Sequence, residues 1–173
     1  MLSKVIEDKL NEQLGHELYS AYLYYSMSAY FESVNLDGFA NWMKIQAQEE
    51  LTHVDKIFGY VNNRGGRVRL TAVAAPTVEW ASPVAAMQDS YKHECFISGT
   101  INACVSLALS TSDHSTNAFL QWFVAEQVEE EKAADEVLQK LKLIGDNGSG
   151  MFLLDNELSK RTLAGPSAGG QAN

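Results

Sequence analysis

Proline is scarce. Only Pro76, Pro83 and Pro166 occur in 173 residues, so long segments are free of the residue that breaks helices. Cysteine is scarcer. Cys95 and Cys104 are the only two, and on one helix they would sit on opposite faces, about 13 Å apart along the axis. No disulfide closes over that distance, and two reduced thiols fit a cytoplasmic location. Bases are the minority: 13 Lys and Arg face 22 Asp and Glu, a formal net charge of −9. That balance argues against nucleic acid held by phosphate contacts and against anionic lipid. It leaves a protein whose field attracts cations. No run of about 18 apolar residues exists, so no membrane span is expected. Charged residues follow Met1 at once, at Lys4, Glu7, Asp8 and Lys9, so no secretory signal is expected. Hydrophobic residues make up 46% and charged residues 20%, an ordinary globular composition. The length suits one domain that buries its core without staples.

What the sequence does have is helical periodicity. Ile6, Leu10, Leu14, Leu18, Ala21 and Met27 recur every three to four positions, a stripe that predicts a first helix to about Phe31 with Ser3 as its cap. Asp37 reads as the cap of a second helix, near Gly38 to Asn63, carrying Phe39, Trp42, Met43, Leu51, Ile57, Phe58 and Val61. Arg64-Gly65-Gly66 ends it. Residues 65–82 have no helical period. Seventeen or so extended residues span about 55 Å, more than the roughly 40 Å of a 27-residue helix. This connection can therefore cross a bundle and make helices two and three parallel. Ser82-Pro83 opens a third helix, to about Leu109, and a fourth follows the polar break at residues 110–113 and runs to about Ile144. Met151 to Arg161 reads as a short fifth helix. The expected fold is all-α: an antiparallel four-helix bundle with a long crossover between helices two and three, plus a short C-terminal helix. Residues 1–161 form the domain, and 162–173 read as a disordered tail.

Each of the four long helices carries a metal-ligand type of side chain near its middle. Glu17 sits between Leu14 and Leu18. Glu50 and His53 are one turn apart on helix two. Glu94 precedes Cys95-Phe96-Ile97. Helix four carries Glu126, Gln127, Glu129, Glu130 and Glu131. Taken singly, each signal is weak. A lone Glu is usually a surface residue, Glu-x-x-His recurs by chance, and an acidic run is usually a solvated face. Jointly they are different. Buried carboxylates need partners or cations, and several carboxylates with one imidazole make an oxygen-rich pocket suited to iron or manganese.

Nearly the whole chain resembles the bacterial non-haem ferritins. The resemblance is carried by Leu10-Asn11-Glu12-Gln13 with Glu17, by Ala47-Gln48-Glu49-Glu50-Leu51-Thr52-His53, by Tyr91-Lys92-His93-Glu94, and by the stretch from Phe119 to Lys132. Ferritin-like carboxylate bundles place one Glu on each of two helices and Glu-x-x-His on the other two; here helix four has Gln127-x-x-Glu130 instead of a second Glu-x-x-His. The resemblance implies a dinuclear ferroxidase centre. Glu17, Glu50 and His53 would hold the first iron, with Glu50 bridging. Glu94 and Glu130 would hold the second, and Gln127 would lie near the oxygen side. A third iron site would use Glu49, Glu126, Glu129 and Glu130. Tyr24, two turns after Glu17, would supply an electron. The substrates would be Fe(II) and O2, and the assembly a closed shell of 24 identical subunits enclosing ferric mineral.

Two departures bear on this. Haem-bearing relatives use a methionine beside the helix-two histidine, where this chain has Thr52, so no haem is expected. Animal ferritins line a threefold pore with acids where Asn117 and Leu120 stand here, which puts iron entry by that route in doubt. Two rivals remain open: a non-storage di-iron peroxidase or oxidase on the same bundle, and a bundle that binds metal only structurally. His16, His93 and His114 read as surface or as neighbours of the site. Trp122 reads as core or as a second electron source. Arg64, Arg67 and Arg69 read as solvated or subunit-contacting.

Overall fold

The computed structural model describes residues 2–163, which form five helices: α1 (Lys4–Ser33), α2 (Asp37–Asn63), α3 (Pro83–Ser110), α4 (His114–Ile144) and α5 (Gly148–Leu158). The expected tail at 164–173 lies outside the described residues. Helix starts follow local chemistry. The side chains of Ser3, Ser82, Asp113 and Asn147 each accept a hydrogen bond from the backbone N–H three residues on, satisfying donors that a helix leaves free at its N-terminus. Two expectations shift. Asp37 is the first residue of α2, not its cap; Leu36 takes the cap position without a side-chain bond, and the Asp37 carboxylate acts on the helix dipole instead. The fifth helix starts and ends three residues earlier than its apolar residues indicate, because Asn147 caps it and draws Gly148–Gly150 into the first turn.

The crossover lies along α1 from end to end. The Leu2 N–H donates to the Arg64 carbonyl. The Glu7 carboxylate accepts from the Arg67 N–H at 2.9 Å and from the Arg69 guanidinium at 2.5 Å. Further along, Ser26 Oγ donates to the Thr77 carbonyl at 2.6 Å, and Trp80 packs on Tyr30. The chain thus leaves the end of α2 beside the start of α1 and enters α3 beside the end of α1. Helices α2 and α3 are parallel, and the α1–α2 and α3–α4 pairs are antiparallel. Arg64 reaches Asp113 at 3.2 Å and lies over Tyr60. Arg64 and Arg69 therefore make ion pairs within the chain, with Arg69 still partly exposed.

Apolar packing forms two clusters, one at each end. The first gathers Tyr24, Met27, Phe31, Phe39, Met43, Met87 and Leu138; the second gathers Ile6, Leu10, Leu14, Ile57, Ile101, Leu120 and Phe123. Between them lies a buried polar layer at the middle of the bundle. Leu51, Phe58 and Leu109, expected on buried faces, are exposed; the inward positions of α2 are taken by Glu50, His53, Ile57 and Val61.

Helix α5 caps one end. The Phe39 N–H donates to Asp155 at 3.0 Å. Gly38 allows this approach, since a Cβ there would stand 1.8 Å from the Asp155 carbonyl oxygen. Leu154 and Leu158 are buried, whereas Phe152 and Leu153 point outward.

Candidate metal centre

Six polar side chains from four helices meet in the polar layer. Glu17, Glu50, His53, Glu94, Gln127 and Glu130 are all 6% exposed or less. Their helices hold them by the 3.6-residue repeat. Glu17 continues the Leu10–Leu14 stripe, and Glu50 and His53 share the face of Ile57. His53 Nδ1 stands 3.2 Å from Glu50 Oε2 and 3.9 Å from Glu17 Oε2. Ligand-type atoms of Glu17, Glu50 and His53 lie within 4.8 Å of one another, as do those of His53, Glu126 and Glu130. Glu94 stands on the far side, where it accepts from the Tyr24 hydroxyl and, at 3.1 Å, from Gln127 Nε2.

Charge makes this layer unusual. Burial pushes the Glu50 carboxyl well above its ordinary value. Burial, with Glu130 adding to it, pushes Glu94 up to about 8. Burial opposes a charged His53, but hydrogen bonds and charge from Glu17 and Glu50 outweigh it and hold the imidazole well above its usual range. Burial and the neighbouring Glu94 also raise the Tyr24 phenol. At the layer's centre, Glu17 Oε2 is buried with no hydrogen-bond partner. An orphan carboxylate oxygen, facing a second carboxylate and an imidazole, is the donor set of an iron or manganese site, and the residues present fit such an ion.

The acids assigned to a third site line a hollow of about 450 Å³ beside this layer. Glu49, Glu126, Glu129 and Glu130 share it with Arg161. Glu49 and Glu126 are half-buried and Glu129 is exposed. Burial lifts Glu49 to about 7 against the pull of Arg161, and burial raises Glu126 as well. Thr52 is exposed, its hydroxyl donating to the Glu49 carbonyl.

Of the neighbours, Trp122 stands edge-on to His53 at 5.4 Å, with the Lys56 ammonium 4.1 Å over its ring. His93 accepts from or donates to Ser20 Oγ at 2.7 Å and faces Tyr24 edge-on; burial pulls it down to about 4, so it is neutral. His16 is half-buried against Phe96, and His114 is exposed. Leu120 is fully buried and belongs to the core, not to a pore lining.

Three residues of the site were missed from the sequence. Gln13 Nε2 donates to Glu17 Oε1 at 2.9 Å, and Gln46 Nε2 donates to Glu130 Oε2 at 2.7 Å. Gln13 stands four residues before Glu17, the spacing that puts side chains on one helix face, and that was its signal; the partner of Gln46 lies on α4, beyond the reach of helix spacing. Arg161, which reaches Glu49 at 2.5 Å, had none.

Residues 7–144 match the model of the Ferritin-like domain family. The chain belongs to the ferritin family. Among its relatives is the bacterial non-heme ferritin of Escherichia coli, 40% identical over 159 residues, covering 92% of this chain and 96% of the relative. The bacterial non-heme ferritin of Bacteroides fragilis is 37% identical over 161 residues, covering 93% of this chain and all of the relative. Among solved structures, an open-pore ferritin from the archaeon Archaeoglobus fulgidus superposes with a TM-score of 0.93 at 48% identity, over 94% of this chain and all of that one. A form of that ferritin closed by site-directed mutagenesis gives 0.94, over 95% of this chain. Family membership and the antiparallel bundle with its crossover agree.

Proposed function

We propose that the chain is the subunit of an iron-storage ferritin, which oxidises Fe(II) with dioxygen in the polar layer and deposits ferric oxo-hydroxide inside a hollow shell. The observation that carries this reading is the buried set of Glu17, Glu50 and His53 with its orphan oxygen, on a chain of the ferritin family.

Fe(II) is the substrate. Glu17, Glu50 and His53 hold one ion. Glu50, Glu94 and Glu130 hold the other, so that Glu50 joins the two. Protons leave Glu50 and Glu94 as the ions enter, because only carboxylates ligate. Gln13 and Gln46 orient Glu17 and Glu130 by donating to one oxygen of each, fixing the ligand geometry from outside the pair. Each ion gives up one electron, and dioxygen accepts them together; a single ferrous ion would release a one-electron radical. Tyr24, hydrogen-bonded to Glu94, is placed to supply a further electron and proton. Gln127 orients Glu94 beside the oxygen side. Glu49, Glu126, Glu129 and Glu130 form the third site, through which iron leaves or is held back.

One subunit has no space for mineral, so storage needs a closed homo-oligomer. Twenty-four copies of a 19.1 kDa chain make a shell of about 460 kDa. The exposed Phe152 and Leu153 of α5 suit burial between subunits. A cytoplasmic location fits the free thiols of Cys95 and Cys104. A peroxidase or oxidase on the same bundle is the weaker reading, since the relatives are ferritins by name. The test is to add Fe(II) in air while following oxygen uptake and native mass. A storage shell consumes oxygen and stays near half a megadalton while gaining iron. A monomer or dimer that oxidises Fe(II) without retaining mineral would overturn the reading.

A further inference from the structure

Arg161 lies three residues beyond α5, yet its side chain enters the hollow of the third site. Its Nη2 donates to Glu49 Oε2 at 2.5 Å, with both side chains less than a quarter exposed. Its guanidinium lies over the Trp42 ring, 4.7 Å from the centroid. The backbone is fixed as well. Asn41 Nδ2 donates to the carbonyl of Arg161 at 3.0 Å and reaches those of Leu158 and Ser159. Nη1 is buried with no partner, so the fork makes only part of the bonding it is able to make. Two ligand-type groups are compact among the described residues, and Glu49 belongs to neither; the oxygen that would complete the group around Glu126 and Glu130 is held by Arg161.

We infer that Arg161 is a tethered cation that occupies the third site, and that a third divalent ion gains Glu49 only by displacing it. This rests on the third-site reading above. The chemistry is a competition for one carboxylate. Arginine never loses its charge and binds a carboxylate through a planar fork, so it neutralises part of the acidic cluster while the site is free of metal. A divalent ion brings twice the charge, and it meets both the loss of the Arg161–Glu49 pair and repulsion from the guanidinium. Filling the third site is thereby coupled to release of the segment after α5 from Trp42 and Glu49. The two ions of the central pair bind without this penalty, because among the described residues Arg161 pairs with Glu49 alone and with none of Glu17, Glu50, His53, Glu94 or Glu130. The filling order follows: the central pair first, the third site last and more weakly. Arg161 is a specificity-determining residue of the site, not a ligand.

The test uses the assembled shell and Zn(II), which does not oxidise. Calorimetric titration of the parent should give two tight ions and one weak ion per subunit. In Arg161→Gln the weak ion should bind about tenfold more tightly, with the tight pair unchanged. In Arg161→Lys, which keeps the charge but loses the fork, it should stay closer to the parent. A crystal of the Zn(II)-loaded parent should show Arg161 turned away from Glu49. Equal or weaker third-ion binding in Arg161→Gln overturns the inference. So does a lysine variant that matches the glutamine variant, or an ion on Glu49 with Arg161 still paired to it. No third ion in any of these proteins overturns it too and removes the third-site reading, leaving the central pair untouched.

Discussion

Filling the central pair should release protons before any oxidation takes place. Glu94 is held at about 8 by burial and by Glu130, so at pH 7 it is mostly protonated. Burial also holds Glu50 well above its ordinary range, which favours its protonated form. Hydrogen bonds and charge from Glu17 and Glu50 raise His53 against its burial. Ligation needs ionised carboxylates and a neutral imidazole, so loading at pH 7 should release more than one proton per subunit. Zn(II) isolates this step from oxidation. The assay is a pH-stat titration of the metal-free shell, repeated by calorimetry in two buffers of different ionisation heat. Affinity for the pair should rise with pH until it passes about 8. The same shifts set the stability of the metal-free protein. Glu94 has its pKa raised above the unfolded value of 4.5, so the folded state binds more protons between the two. Stability should therefore fall as pH climbs from about 4.5 to about 8, and loss of the raised His53 pair acts in the same direction above pH 6.5. Release of less than one proton per subunit as the pair fills would refute the assignment of this buried charge.

Three further outcomes follow from particular contacts. Tyr24→Phe removes the hydroxyl that donates to Glu94; the shell should lose about 1–3 kcal/mol per subunit in chemical denaturation and still bind two ions, while its oxygen-to-iron ratio changes. Gly38→Ala drives a Cβ into the Asp155 carbonyl, which should cost about 1–3 kcal/mol and speed hydrogen exchange in α5 more than in α1. Incubated with haem, the shell should show no stoichiometric Soret band, because Thr52 has no thioether and its hydroxyl is committed to the Glu49 carbonyl.

The bundle was legible because its signals are local. Ser3, Ser82-Pro83 and the apolar repeats mark helices by chemistry that acts within a few residues, and the reach of residues 65–82 allowed a crossover. The start of α5 was misplaced because a glycine-rich stretch hides a capped first turn behind Asn147. Glu17, Glu50, His53 and Glu94 were readable as acids and an imidazole on apolar faces. Gln13 and Gln46 were passed over because amides are unremarkable in a helix until the carboxylates they orient are seen beside them. Arg161 was out of reach for a different reason. Its approach to Glu49 depends on how α5 docks against Gly38 and Asn41, a long-range contact with no periodicity to betray it. Leu51 and Phe58 erred the other way, since apolar residues on an outward face look like core until the neighbouring positions are filled.

The most direct measurement is a stopped-flow oxygen pulse on shells loaded anaerobically with two Fe(II) per subunit. In the proposed centre Glu50 would hold both ions, so the parent should oxidise them in one fast phase. Glu50→Ala and His53→Ala should lose that phase while assembling normally. Fast oxidation at the parental rate in Glu50→Ala would contradict the placement of the reaction in the polar layer.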